Sequence, residues 1–254
     1  MTNTFLICRK ELRSYFASPI AYAVLALFAF LFGGIAFYPT VKELVRYGVQ
    51  AQMQGQPVSL NDQIIRPLLG FASTISLFLI PLITMRLFAE EKKSGTMELL
   101  LTSPVRDIEI ILGKWIGALI LYICVLAMSA LNLSFLFLWG KPDWQPVLVA
   151  YLGLILQGGC LLAIGAFISS LTRNQIVAGG ATFFVCLILY LLSWFTQFDS
   201  TLPFQVLNYL AIVTHFENFG KGVLDSKDVI YYLSMIFFAL FITSRSMESL
   251  RWRS

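Results

Sequence analysis

Residues 90–104 read EEKKSGTMELLLTSP, a short island of charged and hydrogen-bonding side chains with apolar sequence of membrane-span length on either side. Leu68–Met85 precedes it and Trp115–Trp139 follows, and neither stretch holds an Asp, Glu, Lys, Arg or His. About 20 apolar residues cross the ~30 Å hydrocarbon core as a helix. Four further stretches qualify: Ile20–Tyr38, Val147–Leu171, Ile176–Phe198 and Val229–Ser244, the last expected to extend outward to Ser226. The expectation is an all-α polytopic membrane protein, one transmembrane domain of six spans over residues 1–254. Composition agrees: 58% of residues are hydrophobic and 13% charged, where soluble domains are about a quarter charged.

The first apolar run is too long for the core of a signal peptide, and Tyr38, Pro39 and Thr40 lead from it into a polar loop, so it is expected to remain as a span. Lys and Arg favour the cytoplasmic side. With the N-terminus inside, that side holds Arg9, Lys10, Arg13, Arg86, Lys92, Lys93, Arg106, Lys114, Arg173, Arg245, Arg251 and Arg253, twelve of the 18 basic residues. The other face keeps Lys42, Arg46, Arg66, Lys141, Lys221 and Lys227. Both termini are therefore expected in the cytoplasm, and the net charge of +4 serves as an orientation signal that needs no nucleic-acid partner. Cys124, Cys160 and Cys186 fall inside spans and Cys8 near the cytoplasmic surface, so none is placed for an extracytoplasmic disulfide.

Residues 1–18 include FLICRKELRSYFAS, with Phe5, Cys8, Leu12, Tyr15 and Phe16 at helical spacing and Arg9, Lys10 and Arg13 opposite. That pattern predicts a helix in the membrane interface, in contact with lipid. Ser18 and Pro19 end it and suit the cap and first position of the next helix. On the outer side, the polar loop from Pro39 to Gln63 is expected to act as a cover. Residues 199–228 hold a short helix around Leu207–Val213, interfacial or partly re-entrant and covered by protein. The two halves of the chain show no repeat, so a pore with two-fold symmetry needs a second subunit.

Within residues 90–104, Gly95 or Thr96 can cap a helix whose first turn holds Glu98, whose apolar face is Met97, Leu100 and Leu101, and which Pro104 stops after Ser103. So short a helix is not stable alone in water. Two readings stand: a solvated connector whose basic residues set topology, or an amphipathic helix docked in a groove on a cytoplasmic partner.

The run FLIPLITMRLFAEEKKSGTMELLLTSPVRDIEIILGKWIGAL, residues 78–119, closely resembles the second span, coupling helix and start of the third span of ABC type-2 permeases, the membrane subunits of ATP-binding-cassette exporters. RKELRSYFASPIAY (9–22) and THFENFGKGVLDSKDVIYYLS (214–234) resemble the gliding-motility-associated branch of that family. The resemblance implies a type V exporter-like architecture: an N-terminal connecting helix, six spans, a cytoplasmic coupling helix between the second and third, and a dimer formed with itself or a sister permease. It implies a bacterial inner membrane and two cytoplasmic ABC ATPases, which would bind the ATP and Mg that this chain does not. Carried over, Glu90, Glu91, Gly95, Thr96, Glu98, Leu99, Leu100, Thr102 and Pro104 would form the coupling loop. Met97 and Leu101 join them on the apolar face.

No G-x-x-x-x-G-K-[S/T] phosphate loop occurs, so the chain is not expected to be the ATPase or any other enzyme. A gradient-driven carrier would place an ionisable group in a span, and the six stretches have none. His215 is the only histidine, which excludes a multi-histidine zinc site, and it reads as a packed residue at the membrane boundary. Intramembrane polar residues are few. Asn132 and Gln157 are the candidates for lining a pathway, against the alternative of hydrogen bonds between helices. The sequence thus predicts a permease subunit of an ATP-driven exporter; a membrane subunit that drives envelope assembly without transport is the alternative.

Overall fold

The structure, a computed structural model, describes residues 2–43, 46, 60–97, 105–139, 142–195 and 202–251. Among them it is helical, with short connections and no strand. Helix α1 (Thr2–Ala17) is followed by α2 (Pro19–Glu43), α3 (Arg66–Thr84), the short α4 (Ala89–Ser94), α5 (Asp107–Trp139), α6 (Trp144–Leu171), α7 (Gln175–Phe195), two short helices α8 (Leu202–Leu210) and α9 (Ile212–Gly220), and α10 (Ser226–Arg251). Among the described residues six helices are long and apolar enough to cross a membrane: α2, α3, α5, α6, α7 and α10. The protein is a multi-pass membrane protein.

Local chemistry sets the joints. Ser18 leaves the helical region (φ −96°, ψ 148°), its Oγ accepts from the Ile20 amide at 3.4 Å, and Pro19 opens α2. Within α2, residues Phe30–Phe37 form a wide π-helical stretch around Gly33 and Gly34. Pro81 removes a backbone donor inside α3, which ends at Thr84.

Helix α6 is the axis of the bundle and packs against α3, α5, α7, α9 and α10. Gly158 makes room for the Tyr122 ring of α5, which a Cβ there would overlap. Buried polar groups pair across helices: Ser73 Oγ donates to Gln157 Oε1 at 2.9 Å, Ser76 and Tyr122 share a hydrogen bond of 2.7 Å, and Trp115 Nε1 donates to the Gly159 carbonyl at 3.0 Å. Such bonds are worth ~1 kcal/mol each inside a bilayer. Outward-facing side chains such as Phe30, Ile176 and Phe237 are exposed and apolar, as hydrocarbon solvent requires.

Two features depart from expectation. The helix containing the 115–139 stretch starts already at Asp107, which brings Lys114 inside it. The outer segment is two helices rather than one, because Ala211 turns extended (φ −71°, ψ 119°) in the middle of the apolar stretch 207–213. The second of them, α9, buries Ile212, His215, Phe216 and Phe219.

Candidate functional site

Helices α1, α4 and α5 meet at the end of the bundle that holds the chain termini. α1 lies close on α5 because Gly113 leaves that face bare: a Cβ there would sit 2.8 Å from Ile7 and 2.9 Å from the Thr4 carbonyl oxygen. The inward face of α1 is Cys8, Glu11 and Tyr15, at spacings of three and four. Arg9, Lys10 and Arg13 point outward and are exposed.

In the seam, Lys114 is 2% exposed. Its Nζ bonds Glu11 Oε1 of α1 at 2.8 Å and Glu91 Oε1 of α4 at 2.9 Å, and it lies 5.5 Å from the centre of the Phe88 ring. One buried cation thus joins three helices. Lys10 approaches Glu91 Oε1 at 3.5 Å, while Glu91 Oε2 is buried with no hydrogen-bond partner among the described residues.

A second cation ties the turn that leads into α4. Arg86 grips both oxygens of Glu90, at 2.6 and 2.8 Å, and donates to Ser18 Oγ at 2.7 Å, linking α4 to the α1–α2 joint. That fork holds the Glu90 carboxyl below the usual carboxylate range. The free amides of Phe88 and Ala89, where α4 begins, both donate to Ser169 Oγ of α6 at 3.1 Å. Lys92 Nζ donates to the Ser170 carbonyl. Tyr15 donates to the Ile83 carbonyl at 3.1 Å, and burial raises its hydroxyl pKa. Gly95 closes α4 in the left-handed region (φ 73°), and Thr96 and the buried Met97 start a new helical turn.

Of the residues expected in the loop, Glu90, Glu91, Gly95, Thr96 and Met97 therefore adjoin this hub. Glu98, Leu99, Leu100, Leu101, Thr102 and Pro104 lie outside the described residues. Asn132 donates to the Met128 carbonyl at 3.1 Å and faces Gly33 of α2; Gln157 is fully buried against Ser73 of α3. Among the described residues no hydrogen bond joins the two, and both are held in helix contacts. Glu11, Arg86, Lys114 and Ser169 were not singled out from sequence. For Glu11 a signal existed: it is the one acid in a basic helix and shares a face with Cys8 and Tyr15.

The family model described as ABC-2 family transporter protein matches residues 5–243. The chain belongs to this family. It is accordingly the permease component of an ABC transporter, a transport component distinct from the ATPase, and membership implies partnership with an ABC ATPase. No curated protein matches it significantly. In this ABC-2 permease the residues of the charged hub, from Glu11 to Ser169, lie within the matched region.

A second polar cluster occupies the opposite end. His215 of α9 places Nδ1 2.6 Å from Asp228 Oδ1 and Nε2 2.9 Å from the Tyr209 carbonyl, and Asn218 Nδ2 donates to Asp228 Oδ2 at 2.8 Å. Tyr231 stacks on the imidazole at 3.8 Å, and the Tyr231 and Tyr232 hydroxyls donate to the Leu210 and Ile212 carbonyls, each at 2.8 Å. These contacts pin α8 and α9 to α10. They make His215 a buried structural tie, in line with its reading as a packed residue at the membrane boundary.

Proposed function

We propose that the chain is the permease subunit of an ATP-driven exporter in the bacterial cytoplasmic membrane, with both termini in the cytoplasm. A separate ATPase holds residues 90–104, and Lys114 passes the motion of that segment to α1 and α5. The observation that carries this reading is the position of Lys114, where one buried cation bonds Glu91 of α4 and Glu11 of α1 at under 3 Å. Packed, hydrogen-bonded helices move as rigid bodies between discrete arrangements. A pull on α4 is thereby delivered to the third span and the N-terminal helix together. The Arg86–Glu90 fork and the Ser169 bonds to α4 add connections to α2 and α6. A second permease, this chain again or a sister, completes the pathway, and ATP and Mg belong to the ATPase. The branch resemblance in residues 9–22 and 214–234 supports a gliding-motility-associated relative.

The test is affinity purification of the tagged chain from its native membrane in mild detergent, comparing wild type with Leu100→Asp and Leu101→Asp. An ABC ATPase should co-purify with wild type and be lost from both variants while the permease still elutes as a folded species. Equal ATPase recovery from all three, or none from wild type, would contradict docking at residues 90–104.

A further inference from the structure

A cavity of about 470 Å³ opens at the end opposite the termini, between α3, α7 and α9. Its rim carries the carboxylates of Asp62 and Glu217 and the guanidinium of Arg66; its inner half is uncharged, lined by the hydroxyls of Ser73, Thr74 and Tyr190. The volume lies within the ~300–1,000 Å³ typical of small-molecule sites. The α9 wall is held from behind by the His215–Asp228 pair.

Hydrogen-bond accounting indicates what the inner half can receive. Ser73 has already given its hydrogen to Gln157 Oε1 at 2.9 Å, and Thr74 has given its own to the Gly70 carbonyl at 3.2 Å. A hydroxyl has one hydrogen and two lone pairs. Both groups therefore offer acceptors, and the Glu217 carboxylate at the rim offers more. The Tyr190 hydroxyl lies 3.4 Å from Thr74 Oγ1, whose own hydrogen is committed to Gly70, so Tyr190 donates there and turns its lone pairs to the cavity as a further acceptor. Val213 and Phe216 supply an apolar wall beside these acceptors. The two rim carboxylates disfavour an anion, and a cation drawn to them finds no countercharge in the inner half. An uncharged ligand with several O–H donors on a hydrocarbon frame satisfies all of these groups.

We infer that this cavity binds the glycosyl or polyol group of an uncharged, hydroxyl-rich ligand, either as a free sugar or as the head of a lipid. This goes beyond the proposed coupling and does not depend on an ATPase.

Gly70 supplies the test, because a Cβ built there meets nothing within 4 Å. Gly70 lines the cavity, so a larger side chain at that position is expected to fill it. The full chain in phosphatidylcholine nanodiscs would be titrated with tritiated octyl β-glucoside below its micellar concentration, with glucose and octyl phosphocholine as competitors. Saturable binding is expected, weakened at least tenfold by Gly70→Leu and less by Thr74→Val or Tyr190→Phe. Displacement by glucose assigns a free sugar; displacement by alkyl glucosides but not glucose assigns a lipid-linked head, and either outcome supports the site. If Gly70→Leu does not elute as a single folded species, the two hydroxyl deletions carry the test alone. Absence of saturable binding, equal displacement by octyl phosphocholine, or wild-type affinity in every folded variant would overturn the inference.

Discussion

Lys114 holds its charge in a seam almost closed to water, and only two carboxylates and an aromatic ring make that tolerable. Removing one partner of a buried ion pair strands the other charge, at a cost of about 3–5 kcal/mol, whereas replacing the whole group with neutral residues is often close to neutral. Lys114→Met is therefore expected to lower the thermal unfolding midpoint of the purified permease clearly, with Glu11 and Glu91 left facing each other. Lys114→Met combined with Glu11→Gln and Glu91→Gln should recover most of the loss. A triple variant no more stable than the single one, by intrinsic fluorescence in detergent, would show that the charges are not what the seam depends on. The hub is not legible in the sequence. Lys114 reads as one more cytoplasmic cation, and its partner Glu11 lies 103 positions away.

Among the elements, α9 is tied to α10 by the His215–Asp228 pair. Both ring nitrogens of His215 lie within hydrogen-bond distance of partners, the Asp228 carboxylate and the Tyr209 carbonyl. Asp228→Ala should loosen α8 and α9 and destabilise the fold by ~3 kcal/mol or more, as for other broken buried pairs. Tyr209→Phe should stay within ~0.5 kcal/mol, because the backbone of Tyr209 makes the bond. Urea titrations followed by tryptophan fluorescence distinguish the two, and equal effects would refute the assignment. Element existence was legible where physics is local: apolar length marked the six spans, and Ser18–Pro19 marked the α1–α2 joint. The break at Ala211 was not, since alanine favours helix. Tertiary contacts of Ile212 and His215 hold α9 at that angle. Gln157 was visible as a polar residue in a span, but its Ser73 partner follows from the α3–α6 register, which periodicity does not reveal.

For the whole molecule, six membrane-length helices place both termini at one end, together with α4, and the cavity at the other. The proposed orientation puts the termini inside. A cysteine at Lys93, exposed on α4, should resist a membrane-impermeant maleimide added to intact cells, and a cysteine at Lys221, exposed beyond α9, should react. The reverse pattern would invert the topology.

The central claim is that motion of the 90–104 segment reaches the spans through Lys114. The most direct measurement uses the assembled permease–ATPase complex with spin labels at Ile108 of α5 and Leu171 of α6, both exposed. Their separation is measured by double electron–electron resonance with and without ATP and vanadate. A nucleotide-dependent change is expected in the wild-type background. In the Lys114→Met/Glu11→Gln/Glu91→Gln background the ATPase should remain bound and the change should be lost. The same change in both backgrounds would contradict transmission through Lys114.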